Sequence, residues 1–365
     1  MIGPVGPGTP GELTVRFNDY ALSEEQEALG AMVTQLLGQV VTPDVVRACE
    51  PEGFDPSVWA SLADAGIVGL SLPDVIGGQG AGIVELVVAA EQLGRVLAPA
   101  PVVEHAVAAR ALLRTGAAGD MAAALADGST IVSLAPLSAR RRGPQLVPGG
   151  SVATTVLALD GDVLWTWTRD GPPPQVANQA AAPLAGWDPD DPAGRAAQVA
   201  DGDAARAAWT LAVAEWRVGV AALLVGLADG AARLARTYAV EREAFGRSIA
   251  RFQAVSHALV DQHLAIEPAR NLARKAAWFL DHERDARPEL PAMAHLTATR
   301  CAREVTASAV HVHGGVGITL EADVSLHYRR AAAVAQVGGS SVEVLRDVAA
   351  DLRPRFQHAH EVAAR

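Results

Sequence analysis

From Trp209 onward this chain is written in helical periodicity, and that limits its fold more than any other feature. Apolar residues recur at helical spacing over Trp209–Ala244, Ala254–Asp281, Leu290–Val312 and Val342–Leu352. Glycine or proline stands at the breaks: Gly246, Pro288 and Pro291, Gly314 to Gly317, then Gly338 and Gly339. Four long helices with short connections predict an antiparallel bundle whose apolar stripes are core. The first part of the chain is helical too. Ser23 followed by Gln26 reads as a capping box, with Leu29, Met32, Val33, Leu36 and Leu37 on one face behind it. Helical patterns continue over Pro56–Ala65, Ile83–Leu97, Val102–Thr115 and Gly119–Ala126. Before Ile83, GLSLPDVIGGQGAG carries too many glycines for a regular element.

The pattern changes at Ile131. Residues 131–208 hold short β-branched or aromatic runs, TIVSLAP, SVATTVLALDGD and VLWTWTRD, and Asp160-Gly161-Asp162 reads as a hairpin turn. The expected organisation is therefore mainly α with a small β domain. It comprises an N-terminal helical domain (13–130), a reduced, barrel-like β domain (131–208) and a C-terminal four-helix bundle (209–360).

Composition excludes several function classes. Half of the 365 residues are hydrophobic and 19% are charged, enough apolar material for a large core. A net charge of −11 argues against nucleic-acid binding, which needs a basic face to neutralise phosphates. The two cysteines, Cys49 and Cys301, have no metal-ligand spacing and suggest no disulfide framework, which fits a reducing cytoplasm. Residues 1–12 are Gly/Pro-rich, are expected to be disordered and show no secretory pattern. The longest apolar run of the helical half, Val218 to Ala228, is too short to span a bilayer and is flanked by Glu215, Arg217 and Asp229. A soluble chain without membrane insertion is expected. Of the 30 basic residues only Lys275 is lysine, a bias expected of a GC-rich bacterial genome.

Three phrases carry a resemblance. WASLADAGIVGLSLPDVIGGQG with the helix that follows it, YAVEREAFGRSIARFQ at Tyr238–Gln253, and HVHGGVGI at His311–Ile318 together resemble the acyl-CoA dehydrogenase family of flavoenzymes. Their order and separation extend the likeness over almost the whole chain. The resemblance implies FAD as cofactor, an acyl-CoA thioester as substrate, and electron-transfer flavoprotein or a similar acceptor as redox partner. In that chemistry a carboxylate takes an α-proton while the β-hydrogen leaves as hydride to the flavin. The FAD of this family is shared between neighbouring subunits.

One half of that grip has counterparts here. Arg242 matches the family arginine facing the pyrophosphate, a doubly charged target suited to a guanidinium. Phe245 and Gln253 match the aromatic and the glutamine beside the adenine. Gly314 and Gly315 would let backbone approach the cofactor, and His311 stands where glutamine is common. His311 and His313 lack the further ligands that a metal site needs. The flavin-ring half lacks counterparts: SLAPLSARRRGPQLVPGG has neither the TEP-like strand nor the GSD-like turn of the family. Two readings are open for Trp165, Thr166 and Thr168: stand-ins for those contacts, or ordinary strand residues.

The base lacks a counterpart as well. The usual glutamate position falls at Gly338, which cannot accept a proton. The alternative position on the first bundle helix falls at Trp216, leaving the adjacent Glu215 as a weak candidate, since one residue rotates a helical side chain by about 100°. This pattern resembles the glutamate-lacking subunit of actinobacterial heterotetrameric acyl-CoA dehydrogenases, α2β2 complexes in which a complete partner supplies the base, many acting on steroid side-chain CoA thioesters. Two alternatives stay open. One is a self-sufficient homotetramer with a displaced base; the other is a non-catalytic acyl-CoA-binding or scaffold homologue.

Overall fold

The computed structural model describes residues 20–50, 52–140 and 143–363, so the expected disorder of residues 1–12 lies outside the described residues. Helix α1 (Glu24–Val40) begins at the anticipated capping box: Ser23 Oγ accepts from Gln26 N at 3.2 Å, and Ser23 N donates to Gln26 Oε1 at 3.0 Å. Helix α2 (Pro43–Ala48) was not expected; six residues are too few to show a period. Helices α3 (Pro56–Asp64), α4 (Ile83–Arg95), α5 (Val102–Arg114) and α6 (Ala122–Ala126) follow the sequence reading. The glycine-rich segment between α3 and α4 holds a single 3-10 turn, Asp74–Ile76, among bends.

The middle of the chain contributes β1 (Val132–Leu134), β2 (Gln145–Val147), β3 (Thr155–Asp160), β4 (Val163–Arg169), β5 (Ala185–Trp187) and β6 (Gly194–Asp201). One sheet has the order β1-β3-β4-β6, parallel only between β1 and β3, and β2 pairs with β5 in a second, antiparallel sheet. Both contribute to one small core around Val147, Val156, Trp167 and Trp187. The anticipated hairpin turn closes β3 on β4, with Asp160 opposite Val163 and Gly161 at a φ of +62°. Positive φ at the first central residue marks the turn that matches strand twist and favours glycine.

The remaining helices are α7 (Gly202–Glu241), α8 (Gln253–His282), α9 (Leu290–His313), α10 (Asp323–Val337) and α11 (Ser341–Ala363). Helix α7 starts ahead of the expected Trp209, directly after β6. Helix α8 runs through Pro268. The four-helix bundle consists of α7, α8, α9 and α10, with α11 packed chiefly on α9. Helix α10 escaped the periodicity because its buried side includes His327 and Arg330 beside Val324, Leu326 and Ala331.

Helix α7, 40 residues long, is the axis of the molecule and packs against α4, α5, α8, α9 and α10. It touches α4 backbone to backbone. A Cβ on Gly94 would lie 2.0 Å from the Leu223 carbonyl oxygen, and one on Gly226 would lie 1.9 Å from that of Glu91. Around this seam Glu91 accepts from Arg95 and Arg270, each at 3.0 Å, and Arg95 reaches Asp229 at 2.6 Å. The whole of α7 is long and apolar enough to span a bilayer, which the shorter run Val218–Ala228 did not indicate. However, 78% of its most apolar stretch is buried inside the fold, so it serves as core.

Candidate functional site

The expected cofactor residues collect at one end of the bundle. Helix α7 stops at Glu241, and Arg242 caps it by donating its N–H to Tyr238 O at 2.8 Å. Two short strands, β7 (Glu243–Ala244) and β8 (Arg247–Ser248), then form a hairpin with Phe245 and Gly246 at its tip. Both tip residues have positive φ, +50° and +75°. That turn type suits Gly246 but strains Phe245, because a left-handed backbone brings Cβ against the carbonyl.

The strained ring is 96% exposed and meets Phe252 edge-on at 6.2 Å. An aromatic held outward at some conformational cost is what a docking contact requires, and a strained position is a reason to look for function there. Arg242 is exposed, and its guanidinium forms no ion pair or hydrogen bond among the described residues, with neither Glu241 nor Glu243 neutralising it. Gln253, also exposed, opens α8.

The HGG segment joins the same end. His313 stacks on Tyr238 with centroids 4.4 Å apart, placing the end of α9 beside the end of α7. Gly314 caps α9 at a φ of +65°, and Gly314, Gly315 and His311 are all exposed. Arg242, Phe245, Gln253 and the HGG backbone thus share one solvent-facing end, while Glu215 and Gly338 lie in the interior.

At that interior place the structure brings together what the sequence had separated. Gly338 caps α10 and is buried against Trp216 of α7. A Cβ on Gly338 would lie 2.8 and 2.9 Å from ring atoms of Trp216 and 3.2 Å from His295 Nε2. The two alternative positions for a base therefore meet, and an indole fills the space between them. His295 is 1% exposed, and neither ring nitrogen has a partner in good hydrogen-bonding geometry among the described residues, the Arg217 backbone being the nearest polar group that acts on it. Burial, with the Arg217 charge nearby, pushes its pKa down to about 4.

Glu215 points elsewhere. Its carboxylate accepts from Arg114 Nη1 and Nη2 at 2.7 and 2.9 Å and from Arg110 Nη2 at 3.1 Å. It is 1% exposed, with all of its charge opposed by these two guanidinia. A carboxylate so held is a structural anion.

The sequence reading missed Glu104, a lone acid among the apolar residues of α5. Its carboxyl lies beside the Trp216 indole, and desolvation pushes its pKa up. The indole N–H still lacks a partner in good hydrogen-bonding geometry. The signal available in the sequence was one carboxylate within the otherwise buried run Val102–Ala109.

The segment aligned with the family's flavin-ring contacts crosses a cleft of about 280 Å³ bounded by Pro136, Leu137, Arg140, Trp216, Gly338 and Asp347. Asp347 of α11 pairs with both Arg140 and Arg217, tying the connection after β1 to the bundle. Thr168 bonds Thr155 within the sheet at 3.2 Å, and Thr166 donates to Ala197 O at 3.3 Å. Their hydroxyls serve the sheet, as in ordinary strand residues.

Known proteins share this fold. The acyl-CoA dehydrogenase N-terminal domain profile matches residues 23–125, and the C-terminal domain profile matches residues 205–352. The chain is 31% identical to the acyl-CoA dehydrogenase IpdE2 of Mycolicibacterium smegmatis over 91% of its own length and 100% of that protein. It belongs to the acyl-CoA dehydrogenase family. Among the acyl-CoA dehydrogenases, FadE27 of Mycobacterium tuberculosis is 27% identical over 92% of this chain and 98% of its own. Among solved structures, the steroid acyl-CoA dehydrogenase Tcur3481–Tcur3483 superposes with a TM-score of 0.82 at 26% identity, covering 92% of this chain and 99% of that one. The ChsE4–ChsE5 complex of Mycobacterium tuberculosis gives the same TM-score at 24% identity, covering 92% and 99%, a likeness of fold.

Proposed function

We propose that this chain is the non-catalytic subunit of an FAD-dependent acyl-CoA dehydrogenase. In an α2β2 complex it would complete the FAD site of a glutamate-bearing partner. The observation that carries this reading is the contrast between the two ends of the bundle. The interior place for the base is occupied by Trp216 against Gly338, and Glu215 is held by Arg110 and Arg114. The outer end presents Arg242, Phe245 and Gln253 to solvent, with Arg242 lacking any counter-charge among the described residues. Arg242 would bond the pyrophosphate, Phe245 and Gln253 would bracket the adenine, and the Gly314–Gly315 backbone would approach without a Cβ in the way. FAD, when bound, supplies the hydride acceptor. This chain's own residues would hold its phosphate end.

The substrate would be an acyl-CoA thioester, with a steroid side-chain thioester supported by the steroid enzyme among the structural relatives. Electron-transfer flavoprotein or a similar carrier would take the electrons. The test is flavin stoichiometry. Expressed alone, the chain should purify nearly flavin-free; co-expressed with a complete partner, it should give a tetramer with about one FAD per two chains. A yellow, active homotetramer with one FAD per chain would overturn the reading.

A further inference from the structure

A second group of arginines gathers far from the cofactor end. A cleft of about 430 Å³ lies between the glycine-rich segment ahead of α4, the end of α5 and the turn after α8, with Arg110, Arg114 and Arg284 in its wall. Among the described residues Asp74 is the only acid in that wall. Behind Arg110 and Arg114 stands the buried Glu215, whose single charge offsets only one of theirs. Three positive charges against two negative ones leave one positive charge over.

The three guanidinia differ in how far they are engaged. Arg110 is committed: Nε and Nη2 donate to Glu215, and Nη1 donates to the Ser71 carbonyl at 2.7 Å. Arg114 directs two of its five N–H groups at Glu215, at 2.7 and 2.9 Å, and its others have no acceptor among the described residues. Arg284 is exposed, and its guanidinium has no ion pair or hydrogen bond among them. One wall thus carries a guanidinium fixed from behind by Glu215, and the facing segment carries an unpaired one.

We infer that this cleft binds a phosphate monoester. Arg114 and Arg284 come from separate segments, α5 and the turn after α8. A tetrahedral dianionic head can accept from both, whereas a planar carboxylate is matched by one guanidinium fork. Leu72, Pro73 and Leu113 give the same wall an apolar part for a small carbon body. The volume falls in the range of small-molecule sites, beyond what a bare oxyanion fills. The flavin grip is a different place: Arg242 caps the far end of α7, about 27 residues and about 40 Å beyond Glu215. The inference therefore does not rest on the acyl-CoA dehydrogenase reading.

The test is calorimetric titration of the full chain with glycerol 3-phosphate, orthophosphate and acetate at constant ionic strength. Glycerol 3-phosphate should bind at least as tightly as orthophosphate and about ten-fold more tightly than acetate. Arg284→Gln should weaken its binding about ten-fold, the scale of one charge-assisted hydrogen bond. Asp74→Asn, which removes the opposing charge from the wall, should strengthen it about two- to five-fold. Both side chains are exposed, and asparagine keeps the oxygen that accepts from Val75 N at 2.9 Å, so neither change threatens the fold. Arg242→Ala should leave the affinity unchanged. The inference is overturned by the absence of saturable binding, by orthophosphate or acetate outcompeting the ester, or by an affinity indifferent to Arg284→Gln and Asp74→Asn. Loss of binding in Arg242→Ala also overturns it, because the phosphate would then sit at the flavin grip.

Discussion

Restoring the glutamate that this chain lacks should damage it, and the structure gives the size of the effect. Gly338 has φ −85° and ψ 10°, a conformation open to any L-residue, so the backbone is not the obstacle. The obstacle is Trp216: a Cβ would stand 2.8 and 2.9 Å from its ring and 3.2 Å from His295 Nε2. Ordinary carbon contacts lie near 3.5–4.0 Å, so the ring must retreat into a packed interior. Overpacking by one methyl typically costs about 1–3 kcal/mol. Gly338→Ala should therefore lose about 2 kcal/mol, a fall in Tm of about 3 °C for a chain of this length. Gly338→Glu adds a carboxylate to the same closed space and should lose several kcal/mol in all.

The decisive measurement is a double-mutant cycle by calorimetry. Trp216→Ala alone should be costly, about 3–5 kcal/mol, because a large buried side chain is lost. Once the ring is gone, however, adding Gly338→Ala should cost almost nothing, giving a coupling of about 2 kcal/mol between two sites in direct contact. If Gly338→Ala leaves Tm unchanged beside Trp216, or lowers it equally with and without the indole, the steric account of this corner is wrong.

Three further outcomes follow from other parts of the molecule. In the assembled complex, Arg242→Ala should weaken FAD retention ten- to a hundred-fold without dispersing the tetramer, since a charge-assisted hydrogen bond contributes about 1.5–3 kcal/mol; fluorescence of released flavin during dialysis reads it. Glu215→Gln should leave turnover within about two-fold while lowering stability by about 3 kcal/mol, because it leaves Arg110 and Arg114 facing an uncharged partner; abolished turnover in a folded complex would make Glu215 the base after all. Acid should destabilise the fold between about pH 6.5 and 4. Burial depresses His105 and His295 to about 4 and His327 to about 3, so the unfolded chain takes up protons first. Stability is then full above the ordinary histidine range and falls by about 1.4 kcal/mol per pH unit for each histidine as pH drops, which urea titrations at stepped pH would show.

How much of this was legible beforehand depends on the range of the interaction concerned. The capping box at Ser23, the turn at Gly161 and the helix break at Gly246 are set by neighbours in sequence, and each was visible in a few letters. Helix α10 was not, because its buried face includes His327 and Arg330, and Arg330 finds its partner in the Leu97 carbonyl at 2.9 Å. No local pattern announces a buried arginine that bonds a carbonyl so far along the chain through one nitrogen, with Nε and Nη2 left without partners among the described residues.

The interior corner shows the same limit more sharply. Two separate alignments pointed to Gly338 and to Trp216 as the places a base would occupy, and each looked like an independent loss. Only packing shows that they are one change. The absence of a side chain at 338 makes room for the indole at 216, and the indole in turn leaves no room for a side chain at 338. Either substitution alone is the difficult step: glutamate at 338 meets the ring, and alanine at 216 opens a void beside glycine. A chain in this state is held there by the contact itself, so a route back to a base-bearing site must pass through a less stable intermediate whichever position changes first. On this account the corner is stable as a pair, and the outward Arg242 and Phe245, which share no contact with it, are free to vary independently of it.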